Sequence, residues 1–183
     1  MNDEINSSMD PLLVDITKPS EEAKGMQGPE AMMLPGETFT AADIETIRNI
    51  PNVDYVETIT SISGKSTMVY ADQTVSLTQL TTLTDAFDKE TITAGAFPED
   101  KEILLPVKTA SKLSGNDSPE SLVGKSIHLY INEMDAKHKP VTLEQEVTIS
   151  GIYESTDPRA QMQPTGYLPA QTLEQMYADK GIT

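Results

Sequence analysis

One stretch of this chain limits its fold more than any other. Lys125 to Ile131 reads as a strand, Asn132 to Pro140 as a charged hairpin tip, and Val141 to Tyr153 as a long second strand carrying Gly151. β-Branched side chains suit a pleated surface better than a helix, and a polar turn between two such runs marks a hairpin. A sheet is therefore the frame, and the other segments are read by what they add to it.

Before the hairpin, Leu12 to Thr17 reads as a short strand stopped by Pro19. Lys18 to Glu37 reads as a loop, because Pro19, Gly25, Gly28, Pro29, Pro35 and Gly36 break every period. Met26, Met32 and Met33 within it are either incidental or an adaptable apolar contact surface. Thr40 caps a helix, with Asp43 at the reciprocal position of a capping box and Phe39, Ile44 and Ile47 on one face. Pro51 and Asn52 end that helix. Val53–Ile62, Ser66–Ala71 and Thr74–Thr82 read as three strands of an antiparallel meander. Thr93 to Pro98 reads as a turn, Ile103 to Leu105 as a short buried strand, and Pro106 to Leu113 as a helix stopped by Gly115, Asn116 and Asp117. Ser155 to Gln163 is a polar loop and Tyr167-Leu168 is extended. Pro169 to Lys180 forms a last helix with Leu173, Met176 and Tyr177 on one face and Gly181 at its C′ position.

Composition removes whole classes of function. The 183 residues carry 29 Asp+Glu against 13 Lys+Arg, a net charge of −16. That balance opposes binding to nucleic acid or to an anionic lipid surface, both of which need clustered cations. The absence of Cys rules out disulfides, Fe–S clusters, Cys-rich zinc sites and Cys nucleophiles. No apolar run approaches the ~20 residues of a membrane span, and no basic segment followed by an apolar one marks a signal peptide.

Local motifs for chemistry all fail on spacing. Gly64-Lys65-Ser66 and Gly124-Lys125-Ser126 resemble the end of a phosphate loop, but Ile59 and Pro119 stand where its first Gly is needed. The two histidines, His128 and His138, lie on a strand and in a hairpin loop with no matching carboxylate, so they read as one surface and one partly buried residue rather than metal ligands. Asp85, Asp88 and Glu90 lack the alternation and Gly of a calcium loop and read as a solvated turn. Serines and threonines are plentiful, but none sits in a Gly-x-Ser-x-Gly elbow. No catalytic, cofactor-binding or metal-binding residue is assigned, no cofactor is implied, and the chain is read as non-catalytic.

A series of phrases carries a resemblance. Phe39 to Val56 contains a helix followed by Ile50-Pro51-Asn52-Val53-Asp54-Tyr55-Val56; then come Ile92 to Pro98, Glu102 to Pro106, Ala110-Ser111-Lys112-Leu113-Ser114-Gly115, Leu122 to Ile127, Val147 to Tyr153 and Tyr167-Leu168-Pro169. In this order, over Leu12 to Tyr177, they resemble the MacB-like (FtsX-like) extracytoplasmic domain of ABC-transporter permeases. The resemblance implies an α+β fold: a discontinuous porter-like βαβ subdomain, residues 10–84 plus 166–183, with a smaller mixed α/β (Sabre-like) subdomain inserted at residues 85–165. It also implies that the family's following strand and helix are cut off at Thr183, leaving an open sheet edge in the porter-like part that invites pairing with another chain.

The function so implied is that of an extracellular permease domain that docks an adaptor or substrate and transmits conformational change during export. ATP would be hydrolysed by a separate subunit. The implied partners are that ATPase, reached through the full-length permease, a second permease protomer, a membrane-fusion adaptor, and a peptide or lipophilic substrate; nucleic acid is excluded. The implied location is the outer side of the cell membrane, on a Gram-positive exterior. The alternative is an extracytoplasmic sensing module that binds a peptide or activates a cell-wall hydrolase. A free secreted hydrolase is the third reading, opposed by the scarcity of His and the missing elbow.

Overall fold

A computed structural model of the chain describes residue 16 and residues 39–62, 65–85, 87–134, 139–155 and 161–180. The expected Leu12–Thr17 strand (Ile16 apart), the Lys18–Glu37 loop with its methionines, Gly64, most of the hairpin tip with His138, much of the Ser155–Gln163 loop, and Gly181 lie outside the described residues. The chain divides into two compact units, Met1–Val56 and Glu57–Thr183.

In the first unit, helix α1 spans Ala41–Arg48 and opens on the expected capping box. The Asp43 amide donates to Thr40 Oγ1 at 3.2 Å, and the Thr40 amide donates to Asp43 Oδ2 at 2.8 Å. Two of the amides that a helix start leaves without partners are thereby satisfied, even though Asp is shorter than the usual Glu. At the other end Asn49 Nδ2 donates to the Glu45 carbonyl at 2.8 Å, and Asn52 turns the chain with φ of 68°.

The second unit is built on one nine-stranded mixed sheet. Its strands are β1 (Ser61–Ile62), β2 (Lys65–Tyr70), β3 (Gln73–Leu77), β4 (Gln79–Thr82), β5 (Ile92–Gly95), β6 (Glu102–Pro106), β7 (Ser126–Met134), β8 (Pro140–Tyr153) and β9 (Thr165–Leu168). They stand in the order β1-β4-β9-β6-β8-β7-β2-β3, with β5 on β8. The β4–β9 and β6–β8 pairs are parallel, and the rest are antiparallel. Strands from residues 10–84, 85–165 and 166–183 all share this sheet.

The β7–β8 hairpin is the one expected, in unbroken register from Ser126↔Thr148 to Met134↔Pro140. Three expectations need correction. Of Val53–Ile62, only Ser61 and Ile62 form a strand, paired with Thr81 and Leu80, and Thr60 adds a bond from the Thr82 amide; the run before them is mixed on both faces and has no apolar side to bury. Thr74–Thr82 is two strands, because the chain bends at Thr78 and passes from the β2 partnership to β4. Thr93–Pro98 contains a strand, β5, where a turn was expected. Its glycine is required by a close approach: at φ of 78°, a Cβ on Gly95 would lie 2.1 Å from the Ser150 carbonyl oxygen. Facing it, a Cβ on Gly151 would lie 2.6 Å from the Ala96 oxygen. The sheet register shifts on both sides of this point, as β-bulges do where backbones crowd.

Helix α2 (Val107–Leu113) buries Thr109, Ala110 and Leu113, and helix α3 (Ala170–Asp179) buries Thr172, Leu173 and Met176. With Leu122 from a single 3-10 turn they join a core of Met68, Ile103, Leu105, Leu129, Ile131, Leu143 and Ile149. The fold is α+β, as expected.

Candidate functional site: an aromatic cluster beside an open hollow

The residues first weighed for chemistry take structural places. Ser66 is 2% exposed in the sheet interior, while its neighbour Lys65 points to solvent. The Gly124 amide, which a phosphate loop would offer to an anion, donates to the Ile149 carbonyl at 2.8 Å. His128 is on a strand but on the solvent face, 54% exposed, with Nδ1 4.0 Å from Glu144 Oε1, and its ring stacks on Tyr130. Asp88 caps a 3-10 turn by accepting from the Glu90 amide at 3.0 Å. Asp85, Asp88 and Glu90 are not drawn into a metal cage: among the described residues no group of three or more His, Asp or Glu could hold an ion.

What the structure does assemble was not read from the sequence. Phe87 stands at the centre of an aromatic cluster, with ring centroids 5.0 Å from Tyr167, 5.5 Å from Tyr153 and 6.2 Å from Phe97, all edge-to-face. Such packing sets the electron-poor edge of one ring on the electron-rich face of another. Lys89 Nζ lies 4.3 Å from the centroid of the Phe97 ring, a cation–π contact. The four aromatic residues come from the β4–β5 connection, the loop after β5, the end of β8 and β9, so only the sheet order brings them together. With three Phe and six Tyr in the chain, their number was visible but their convergence was not.

Burial decides the chemistry of the two tyrosines. Tyr153 is 4% exposed, and its hydroxyl donates to the Thr165 carbonyl at 2.7 Å. Burial, and next the neighbouring Tyr167, hold its phenol well above the usual range. Burial also raises Tyr167. Both stay neutral at physiological pH and serve packing and hydrogen bonding rather than proton transfer.

Beside the cluster an open hollow of about 370 Å³ is lined by hydroxyl groups and two rings, among them Ser61, Thr81, Thr82, Thr165, Phe87 and Tyr167. The hydroxyls of Ser61, Thr81, Thr82 and Thr165 already have partners. Thr81 donates to the Thr60 carbonyl at 3.1 Å, and Thr82 Oγ1 accepts from the Thr60 amide at 2.9 Å. Among the described residues that line it there is no acid, histidine or lysine. The first unit carries its own open hollow along Arg48 and Val53–Val56, where Tyr55 is 62% exposed.

The fold is similar to a solved structure, the extracellular domain of the noncanonic ABC-type transporter YknZ from Gram-positive bacteria. The TM-score is 0.53 at 17% identity, over 88% of this chain and 74% of that one. A second similar structure is the periplasmic region of MacB from Actinobacillus actinomycetemcomitans, with a TM-score of 0.47 at 9% identity, over 86% of this chain and 64% of that one. No curated protein sequence matches the chain. The family model of the MacB-like periplasmic core domain matches residues 1–183. This chain belongs to the MacB-like periplasmic core domain family, the extracytoplasmic domains of ABC-transporter permeases.

Proposed function

We propose that this domain is the docking and motion-transmitting part of an export permease. It receives a membrane-fusion adaptor or a peptide or lipophilic substrate on the outer side of the cell membrane. It then passes the resulting movement to a partner ATPase through the membrane part of the permease. The observation that carries this reading is the family match over the whole of residues 1–183. The Gram-positive exterior is proposed on the likeness to the YknZ domain. The surface of the second unit fits a contact role: the aromatic cluster and hollow are prebuilt from packed strands and hold no reactive pair.

The test is capture of a candidate membrane-fusion adaptor by the purified domain at low and high salt. The net charge of −16 predicts capture that weakens as salt screens it. The membrane topology of the full-length gene product is the companion test. A parent polypeptide without membrane helices would sink the reading, and a domain that captures no adaptor at any salt would strike adaptor docking from it.

A further inference from the structure

The outer strand β3 is a hydrogen-bonding edge whose geometry is complementary to itself. We propose that two copies of this chain associate by antiparallel β3–β3 pairing about a two-fold axis at Val75, joining their sheets into one.

The polarity of each strand follows from β8 outward. Ile149 turns its backbone toward the β7 side, donating to the Lys125 carbonyl at 2.9 Å and accepting from the Gly124 amide at 2.8 Å. In an antiparallel ladder the inward and outward residues alternate. Through the registers Val147↔Ile127, Leu129↔Met68 and Met68↔Val75, that alternation turns Gln73, Val75 and Leu77 toward β2. The two-residue turn Ala71-Asp72, closed by the pair Tyr70↔Gln73, requires the same phase. Thr74 and Ser76 are left with their N–H and C=O groups aimed away from the sheet, and no described residue pairs with them.

With Val75 facing Val75 of the second copy, Thr74 lies opposite Ser76 and Ser76 opposite Thr74. Both outward residues of each copy then meet outward residues of the other, and all four edge amides find carbonyls. An axis at Thr74 or Ser76 would pair only one such couple fully.

The strand itself carries none of the sequence devices that usually block such pairing. Gln73-Thr74-Val75-Ser76-Leu77 has no charge and no Pro, and its register with β2 has no bulge. Charge repulsion between the two copies is weak at the seam. The closest acid in sequence, Asp72, would face Thr78 of the other copy, so the two Asp72 residues stand about 20 Å apart, beyond a Debye length of about 8 Å. Edge pairing depends on the strand alone, and its failure would leave the transporter reading untouched.

The chain has no Cys, so one introduced thiol reports the register. On this axis the two Val75 residues form a non-hydrogen-bonded pair with Cα atoms about 4.5 Å apart, within disulfide reach. Two Ser76 residues are staggered by two positions and lie about 8 Å apart, out of reach. Wild-type chain should show concentration-dependent dimers by sedimentation. Under mild oxidation Val75→Cys should form covalent dimer about tenfold faster than Ser76→Cys. Ser76→Pro removes an outward amide that no described residue pairs with, so it should keep the far-UV spectrum and Tm while raising the dimer dissociation constant about tenfold. A wild-type chain that stays monomeric at all concentrations overturns the proposal. So does a dimer in which Ser76→Cys links as fast as Val75→Cys, since that places another surface, or another register, at the contact.

Discussion

The two halves of β8 teach what burial does to a strand. From Pro140 to Thr148 it pairs with β7, and its side chains alternate: Leu143 and Val147 are buried while Thr142, Glu144 and Glu146 are exposed. From Ile149 to Tyr153 every residue is buried, and this half lies between β6 and β5. An antiparallel sheet can leave one face to water, whereas parallel strands are covered on both faces and read as continuous apolar runs. One strand shows both regimes, and the change falls where antiparallel β7 gives way to β5 along one edge and parallel β6 joins along the other. β6 itself repeats the covered pattern, with Ile103, Leu104, Leu105 and Pro106 all buried.

This contrast can be attacked where its expected effect is greatest. At the covered end, Gly151→Ala would drive a Cβ against the Ala96 and Ala94 carbonyl oxygens at 2.6 and 2.9 Å, both backbone atoms that cannot swing aside. The expected loss is about 4 kcal/mol or failure to fold, read by urea denaturation. A loss below about 1 kcal/mol would mean that this end is less tightly crossed than the structure shows.

At the alternating end, Leu129→Ala should cost about 3 kcal/mol, because Leu129 is 0% exposed on β7. Glu144→Ala on the opposite face should stay within about 0.5 kcal/mol. Equal effects at the two sites would break the one-face description.

Tyr153 tests the covered end by pH. Tyr153→Phe loses the 2.7 Å bond to the Thr165 carbonyl and should cost about 1 kcal/mol near neutral pH. Below the ordinary phenol value of 10.0 both folded and unfolded chains hold the proton. Above it the unfolded chain loses the proton first, because burial raises the folded-state value. Stability should therefore fall as pH climbs past 10.0, and less steeply in Tyr153→Phe. Tm measured from about pH 8 to 11 checks the slope, and a parallel fall in both proteins would remove Tyr153 as its cause.

The smallest effect belongs to a second contrast, between helices. Helix α1 is held by its capping box, while α3 has no side-chain cap and is held by the burial of Thr172, Leu173 and Met176. Thr40→Ala should raise hydrogen exchange of the α1 amides about fivefold, equivalent to about 1 kcal/mol, and leave α3 unchanged.

Much of this was legible in the chain itself. The β7–β8 hairpin showed because its branched residues and charged turn are local signals. The α1 cap showed for the same reason, since Thr40 and Asp43 are three positions apart. β5 was missed because Thr93-Ala94-Gly95 has the composition of a turn, and it becomes a strand only where Gly151 admits its backbone. The parallel pairs β4–β9 and β6–β8 join segments 86 and 46 residues apart at Gln79↔Thr165 and Glu102↔Thr148, with no local trace in either. The aromatic cluster was hidden in the same way: Phe87, Phe97, Tyr153 and Tyr167 have no shared period.

The amino-acid order by itself determined which residues could cap, turn or alternate; its −16 charge opposes nucleic-acid binding, and its missing Cys removes thiol chemistry. It also carried the family signature. Only the tertiary structure decided which strands became neighbours, where glycine had to stand, and which rings met at the hollow. Caps and hairpins are settled by bonds within a few residues. Strand order and aromatic packing depend on the burial of surface shared between distant segments, and that free energy belongs to the assembled sheet rather than to any one segment.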